Sequence, residues 1–362
     1  VLNRLSLNEK QCSTAFPGLF DSVDEMVTKG IFYLRQSNQM VTGRIRDGKI
    51  YILSEEKMGD MSDMMFKERA AALHQLHRAI VTSPEPLPDT LFALNIHDTP
   101  QARSLSYSRS RDPEHSFGAD GHIFLMPHFS YWHWMRLPFI SSLRNASTQI
   151  TAIETATPFE HKIPKAVWRG TPWFASSANT ELRKSLLTTA HNLPWADVQS
   201  LKWSDSGRRS ENALKIEDFC RYKYVVYTEG ISYSGRLQFH QLCASVLITP
   251  AIVWMQHTTH LVRPVWSTEL LAKEHPSKRN LKMWPEGTTY GPTNANAVFV
   301  RSDWADLEDV IMFLEDHPEL AAQIARNQRD TFHGNGYFSP AAEACYWRAV
   351  IRGWAAVARR PG

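Results

Sequence analysis

The sequence predicts an α/β protein of two domains built on mainly parallel sheet, and three observations carry that expectation. A chain of 362 residues, 43% hydrophobic and 11% aromatic, is long enough to bury two cores, since domains cluster at roughly 100–200 residues. Through the second half, short apolar runs alternate with segments of helical spacing, the pattern of strands joined by crossover helices. Residues 224–249, "YVVYTEGISYSGRLQFHQLCASVLIT", pass from a β-like run through Gly230, Ser234, Gly235 and Arg236 into a helix-like run and another apolar run. The first N–H groups of a helix have no internal partners and its dipole favours negative charge there, so this turn reads as an anion site, with phosphate the expected guest.

Taken in order, the first third mixes elements. Arg46-Asp47-Gly48-Lys49 lies between two apolar runs and signals a hairpin, because Asp-Gly supplies the positive φ of a tight turn. The run from Ser62 to Val81 has helical spacing, with Met65, Ala72, Leu73, Leu76 and Ile80 on one face, and Pro84, Pro86 and Pro88 end it. "TLFALNI" (90–96) reads as a buried strand that delivers His97-Asp98-Thr99-Pro100 at its C-terminal end. Chemistry in open α/β sheets sits at such ends, which singles out Asp98; the alternative is a turn aspartate bonding its own backbone before a proline. Residues 101–121 read as a polar loop. The aromatic patch that follows, Tyr131, Trp132, His133 and Trp134, fits either core packing or a wall on which a sugar stacks. Farther on, "KAVWRG" (165–170) predicts a strand ending in Trp168-Arg169-Gly170, Thr180 a helix cap, "NAVFV" (296–300) a strand, and Ser302 the cap of the first of two helices. Ser339-Pro340 opens a last long helix with Ala341, Cys345, Val350, Trp354 and Val357 as its packing positions. The second half is therefore expected to be a Rossmann-like domain.

Composition narrows the function. Against 40 basic residues stand 37 acidic ones, a net +3 without long single-sign runs, which argues against nucleic acid as a partner. No run of about 18 apolar residues predicts a membrane span, and Val1–Leu5 does not read as a signal peptide; a start without Met leaves room for an anchor upstream of residue 1. Cys12, Cys220, Cys243 and Cys345 are far apart and lack paired metal-ligand spacing, so they read as isolated thiols or as one or two disulfides. Asn145-Ala146-Ser147 is a glycosylation sequon.

The chain has no Walker loop, no Gly-x-Gly-x-x-Gly fingerprint and no Gly-x-Ser-x-Gly elbow. Instead Arg169, Arg183 and Arg236 fall at turn and helix-start positions. Each alone reads as a surface arginine, but guanidinium groups converging on one pocket would bind a diphosphate. Asp-x-Asp, the usual means of holding a divalent ion on a nucleotide diphosphate, is also absent, so a transferase using this site would neutralise its leaving group without metal.

The ordered set "NIHDTP" (95–100), "AVWRG" (166–170), "YKYVVYTEGISYSGRL" (222–237), "SVLITP" (245–250), "NAVFVRSDWADLEDVI" (296–311) and "ACYWRAVI" (344–351) resembles glycosyltransferase family 90, which includes animal protein O-glucosyltransferases and fungal capsule-associated xylosyltransferases. "QCSTAFPGLF" and "PHFSYWHW" look most like the fungal branch. The resemblance implies the B-type glycosyltransferase architecture, two Rossmann-like domains facing a cleft. Residues 1–160 would carry the base and acceptor side, 161–338 would bind the nucleotide sugar, and 339–362 would form a packing helix. It further implies an inverting transfer from a UDP-sugar, xylose favoured and glucose next, to a hydroxyl of a glycan or glycoprotein in the lumen of the Golgi or endoplasmic reticulum, with no cofactor and no metal.

By motif matching, Asp98 falls on the family's general base, and Trp168, Arg169, Gly170, Thr171, Arg183, Gly230, Tyr233, Ser234 and Arg236 fall on its donor site. Tyr131, Trp132, His133 and Trp134, read as a sugar-stacking wall, are the candidate acceptor side. Two departures stand out: a loop between Gly170 and Arg183 longer than in the animal enzymes, which bears on Thr171 and Arg183, and an extra polar segment around residues 268–295. The competing classes are a non-catalytic carbohydrate or nucleotide-sugar binder and a phosphorylase or nucleotide-sugar hydrolase.

Overall fold

The computed structural model describes residues 1–34, 40–55, 63–111, 121–134, 137–174, 176, 179–207, 209–271 and 290–360. The chain divides into two compact units: Val1–Arg136, Trp254–Leu261 and Gly336–Gly362 form the first, and Leu137–Val253 and Val262–Asn335 the second. The architecture is mixed α/β with parallel strands in both.

In the first unit, strands β1 (Val41–Arg46), β2 (Lys49–Glu55), β3 (Thr90–Leu94), β4 (Ser104–Ser106) and β5 (Ile123–Leu125) form one sheet in the order β2-β1-β3-β4-β5. β1 pairs antiparallel with β2 and β3, whereas β3, β4 and β5 run parallel. The predicted hairpin is present: Asp47 (φ 51°) and Gly48 (φ 70°) make the two-residue turn between β1 and β2, a conformation matched to the twist of the strands it joins. Gly43 of β1 faces Phe92 of β3, and a Cβ there would fall 2.2 Å from the phenyl Cζ. The ring thus fills the space that a side chain would need.

Helices Asp63–Val81 and Pro340–Val357 pack against this sheet. Asp63–Val81 buries Arg69, Ala72, Gln75, Leu76, Ala79 and Ile80, a helical stripe that includes two polar side chains besides the expected aliphatic ones. Pro340–Val357 starts as predicted, with Ser339 Oγ accepting from the Ala342 N–H (3.2 Å) and Pro340 in the first turn. Its indoles reach out for partners: Trp347 Nε1 donates to Gln75 Oε1 (3.2 Å) and Trp354 Nε1 to the Leu91 carbonyl (2.6 Å). Cys345 of this helix is joined to Cys12.

The second unit is built on six strands, β6 (Ile163–Gly170), β7 (Ala196–Ser200), β8 (Tyr222–Val226), β9 (Val246–Pro250), β10 (Pro264–Trp266) and β11 (Ala297–Val300), in the order β10-β11-β9-β8-β6-β7. Every neighbouring pair is parallel. All residues of β9 and β11 are buried, as expected of strands covered on both faces. The chain passes from β6 to β7 on one side and then crosses to β8 on the other. The strand order therefore reverses between β6 and β8, the crevice where open α/β sheets take their ligands.

Helix Leu143–Ala156 belongs to this unit. Glu154 Oε1 on its last turn accepts from Lys162 Nζ (2.8 Å) and from the Ala244 N–H (2.8 Å), and Lys162 also reaches Ser245 Oγ (3.1 Å). Burial lowers the pKa of Lys162, with the Glu154 carboxylate working in the opposite direction. A second disulfide, Cys220–Cys243, brackets the segment from β8 to the turn before β9.

Three local expectations are corrected. Thr180 does not cap a helix: Leu182–Thr189 begins after Glu181, whose N–H bonds Asn179 Oδ1 (3.1 Å). Ser302 does not cap the next one: Asp306 precedes Leu307–Asp316, and Asp306 instead closes a turn by accepting from the Arg301 N–H (3.0 Å), with Trp304 held at φ 64°. The helix after Arg236 is a single turn, Leu237–His240. Of the extra polar segment around 268–295, residues 272–289 lie outside the described residues.

Candidate active site

The C-terminal end of β6 supplies the first part of the site. Trp168 is buried, its indole donating to Thr228 Oγ1 (3.1 Å). Its ring lies so near Gly170 that a Cβ there would come within 2.3 Å of Cζ2, so the Trp-Arg-Gly sequence is fixed by packing. Arg169 points its guanidinium toward β7. Nε donates to the Asn212 carbonyl (3.0 Å), Nη1 to the carbonyls of Trp168 (3.0 Å) and Asp197 (2.7 Å), and Nη2 to Asp197 Oδ1 (2.8 Å). Burial alone would raise the Asp197 pKa. The bonds from Tyr222, Arg169 and Gln199 outweigh it and hold the carboxyl below its ordinary value. Arg169 therefore ties strands together.

The turn after β8 supplies the second part. Glu229 Oε1 accepts from the Val253 N–H (2.9 Å), and the Gly230 N–H bonds the carbonyls of Ser232 (3.0 Å) and Tyr233 (3.2 Å). A Cβ on Gly230 would lie 3.0 Å from the Tyr233 carbonyl and 3.3 Å from Arg183 Nη2, so a side chain here would make its neighbours give by a few tenths of an ångström, and closeness, not a positive φ, favours glycine. Arg183, on the first turn of its helix, donates through Nε to the Glu229 carbonyl (2.9 Å) and through Nη1 to the Thr171 carbonyl (2.9 Å). Trp203 Nε1 bonds the Thr171 hydroxyl (3.0 Å). Tyr233 is buried, and Ser234 donates its N–H to the Tyr227 phenol (3.0 Å).

Arg236 completes this set: Nε bonds Ser234 Oγ (3.4 Å) and Nη1 the Arg169 carbonyl. Its side chain is half-buried, yet enough protein surrounds the guanidinium for loss of water to bring its pKa down to about 10. Among the described residues no carboxylate pairs with it. Burial raises the Tyr227 phenol far above its usual range, with Glu229 adding to the shift, so it stays protonated as a neutral partner.

Sequence reasoning named Trp168, Arg169, Gly170, Thr171, Arg183, Gly230, Tyr233, Ser234 and Arg236 for this region. They surround the ends of β6 and β8, beside the order reversal. Tyr227, Thr228, Glu229 and Trp203 were missed, although the first three stand inside the quoted stretch; nothing in their spacing separates a strand-end polar residue from a solvated one. His240 follows Arg236 by one turn, buried, its pKa driven well down by burial and then by Arg236.

In the first unit, Asp98 is exposed on the loop after β3. Burial lowers the pKa of neighbouring His97, opposed by the Asp98 charge, and raises that of Tyr107, with Glu68 and Asp98 contributing. The aromatic patch divides by side. Tyr131 is buried with its phenol 3.1 Å from His257 Nε2, and Trp134 packs on His128 and Phe129. Trp132 and His133 are exposed, and the Trp132 ring is stacked on His74 (4.9 Å, 11°) with the Arg78 guanidinium 5.2 Å from its centroid.

Sequence comparison gives this arrangement its class. Residues 17–268, more than half of the chain, match the family model for glycosyl transferase family 90, and the chain belongs to that family. Among curated proteins it is 25% identical over 334 residues to the O-glucosyltransferase rumi homolog of Aedes aegypti, covering 87% of this chain and 73% of that protein. It is 23% identical over 329 residues to the Anopheles gambiae O-glucosyltransferase rumi homolog, with 87% and 73% covered. Protein O-glucosyltransferase 1 of Homo sapiens is 20% identical over 375 residues, with 97% and 83% covered.

Proposed function

We propose that the chain is an inverting, metal-independent glycosyltransferase of B-type architecture that moves a sugar from a UDP-sugar to a hydroxyl of a glycoprotein or glycan. The observation that carries this reading is Arg236: a desolvated guanidinium, beside the point where the strand order reverses, bonded to a hydroxyl and a carbonyl but to no carboxylate among the described residues. A half-buried cation without a counter-charge is costly, and a diphosphate would supply that charge. Because the helix that follows is one turn long, affinity for the anion rests on guanidinium groups and not on a helix dipole.

In the proposed reaction Asp98 takes the proton of the acceptor hydroxyl, whose oxygen attacks the anomeric carbon as the bond to the diphosphate breaks. Configuration inverts, and the electron pair leaves on the β-phosphate oxygen. Arg236 and Arg183 stabilise that developing charge without reorganising, which, with the absent Asp-x-Asp, is the ground for metal independence. The names of the relatives favour glucose, whereas the N-terminal and aromatic segments favour xylose. These sugars differ by one hydroxymethyl group, which a pocket separates by about 1–3 kcal/mol. Two disulfides and the sequon at exposed Asn145 support a secretory lumen.

The test is UDP release by the purified chain from UDP-glucose, UDP-xylose, UDP-glucuronic acid and GDP-mannose in EDTA, with water as acceptor. Selective release from one UDP-sugar establishes the enzyme and names its donor. UDP binding without release from any donor would leave the non-catalytic binder, and release only with added phosphate a phosphorylase.

A further inference from the structure

A general base acts only if its carboxylate is held within a fraction of an ångström of the proton it takes, yet Asp98 is on an exposed loop. The buried side of that loop has its own anchor. Asn95, 0% exposed, accepts the His97 N–H through Oδ1 (3.2 Å) and donates through Nδ2 to the Thr99 carbonyl (2.9 Å) and to Ser106 Oγ (3.0 Å). One amide thus grips the residues immediately before and after Asp98. On neighbouring β4, Ser106 Oγ also receives the Gln101 N–H (3.4 Å) and bonds Ser104 Oγ (2.7 Å), while Ser104 donates to the Gln101 carbonyl (2.7 Å).

The directions are consistent. Ser104 gives its proton to Gln101, so Ser106 is the donor between the two hydroxyls and its lone pairs remain for Asn95 and Gln101. Aspartate at position 95 would lose both donated bonds, and leucine would remove all three of the amide's bonds, to His97, Thr99 and Ser106. Ser104 and Ser106 are likewise fully buried, and three buried polar side chains are costly in a core unless fully satisfied. The bonds from Asn95, Ser106 and Ser104 fall on residues 97, 99 and 101, flanking the exposed carboxylate.

From this geometry we infer that Asn95, braced by Ser106 and Ser104, is a positioning residue for Asp98 and sets turnover without contributing to donor affinity. The inference rests on the reading of Asp98 as base, so the test is a double-mutant cycle between the two. Its assay is UDP release to water from the donor selected by the panel above, with kcat and KM separated and UDP affinity taken by calorimetry. Asn95→Ala is expected to lower kcat about 10–100-fold, with donor KM and UDP affinity within about twofold of the parent. Added to Asp98→Asn, it should change kcat by less than about twofold, because the group it positions is gone.

An equal fold-loss in both backgrounds, or a raised KM with kcat intact, would overturn the inference and make Asn95 structural. Should Asn95→Ala lack a cooperative melting transition, Ser106→Ala, which removes one hydroxyl from the same clamp, is put through the same cycle and judged in the same way. Near-parental kcat in Asp98→Asn alone would remove the base, and the inference with it. A large loss in Asp98→Asn with none in Asn95→Ala would overturn the positioning role alone.

Discussion

Three arginines stand in one region, and their bonds separate them. Arg169 places four N–H contacts on protein acceptors, one of them the Asp197 carboxylate, whereas among the described residues Arg236 bonds a hydroxyl and a carbonyl and no carboxylate. The two should respond oppositely to truncation. Arg236→Ala is expected to weaken UDP binding about 10–100-fold, since a hydrogen bond to a charged group is worth roughly 1.5–3 kcal/mol, with little change in urea midpoint. Arg169→Ala takes the paired cation from Asp197, leaving the carboxylate the bonds of Tyr222 and Gln199, and is expected to cost about 3 kcal/mol of stability, read as a lower urea midpoint. UDP affinity untouched by Arg236→Ala would count against the phosphate assignment. The sequence could mark all three arginines as candidates but could not rank them. Three of the four acceptors that occupy Arg169 come from Asp197 and Asn212, and only folding brings those beside β6.

At the scale of elements, what periodicity and turn chemistry encode was legible. The Asp47-Gly48 hairpin, the strand from Thr90, which stops at Leu94 and not at the expected Ile96, the strand ending at Gly170, the parallel sheet and the Ser339-Pro340 helix start all follow from local pattern. Helix starts at Thr180 and Ser302 were not, because a capping side chain competes with turns that tertiary contacts choose. Trp304, buried with its indole on the Leu182 carbonyl (2.8 Å), fixes such a turn. The turn after β8 was legible as glycine-bearing, but its reason was not, since Gly230 serves closeness to Arg183 and the Tyr233 carbonyl. Gly230→Ala tests this directly. The added methyl must push the Tyr233 carbonyl or the guanidinium away, so UDP affinity should fall several-fold while the melting temperature drops only by a few degrees, the effect of about 1 kcal/mol in a chain of this size. Parental affinity would show that the turn yields without disturbing Arg183.

The whole molecule carries features that no local pattern reveals. Cys12 and Cys345 are 333 residues apart, yet their disulfide joins two of the three segments of the first unit; the sequence left that pairing open for want of any spacing signal. The same unit buries His128 and His257, and burial lowers both to about 3. Each makes a bond open to the neutral ring: His128 Nδ1 accepts from the Ser130 N–H (3.2 Å), and His257 Nε2 shares a hydrogen bond with the Tyr131 phenol (3.1 Å). An unfolded histidine titrates near 6.5. Their folded pKa is depressed, so the stability they confer is complete above about 6.5 and is lost as pH falls toward 3, about 1.4 kcal/mol per pH unit for each. Glu343 works the other way. Burial raises its carboxyl to about 7 even with Arg78 beside it, so between its unfolded value near 4.5 and about 7 it favours the folded state more as pH falls, which offsets one histidine. Glutamine at position 257 can still hydrogen-bond the Tyr131 phenol, as donor or acceptor, but does not titrate. The stability advantage of the parent over His257→Gln, measured by urea unfolding from pH 7.5 to 4.5, should therefore shrink by about 1.4 kcal/mol per pH unit below 6.5. A constant gap would mean that His257 takes up its proton in the folded chain, and that the core around Tyr131 and Tyr346 opens to water at mildly acidic pH.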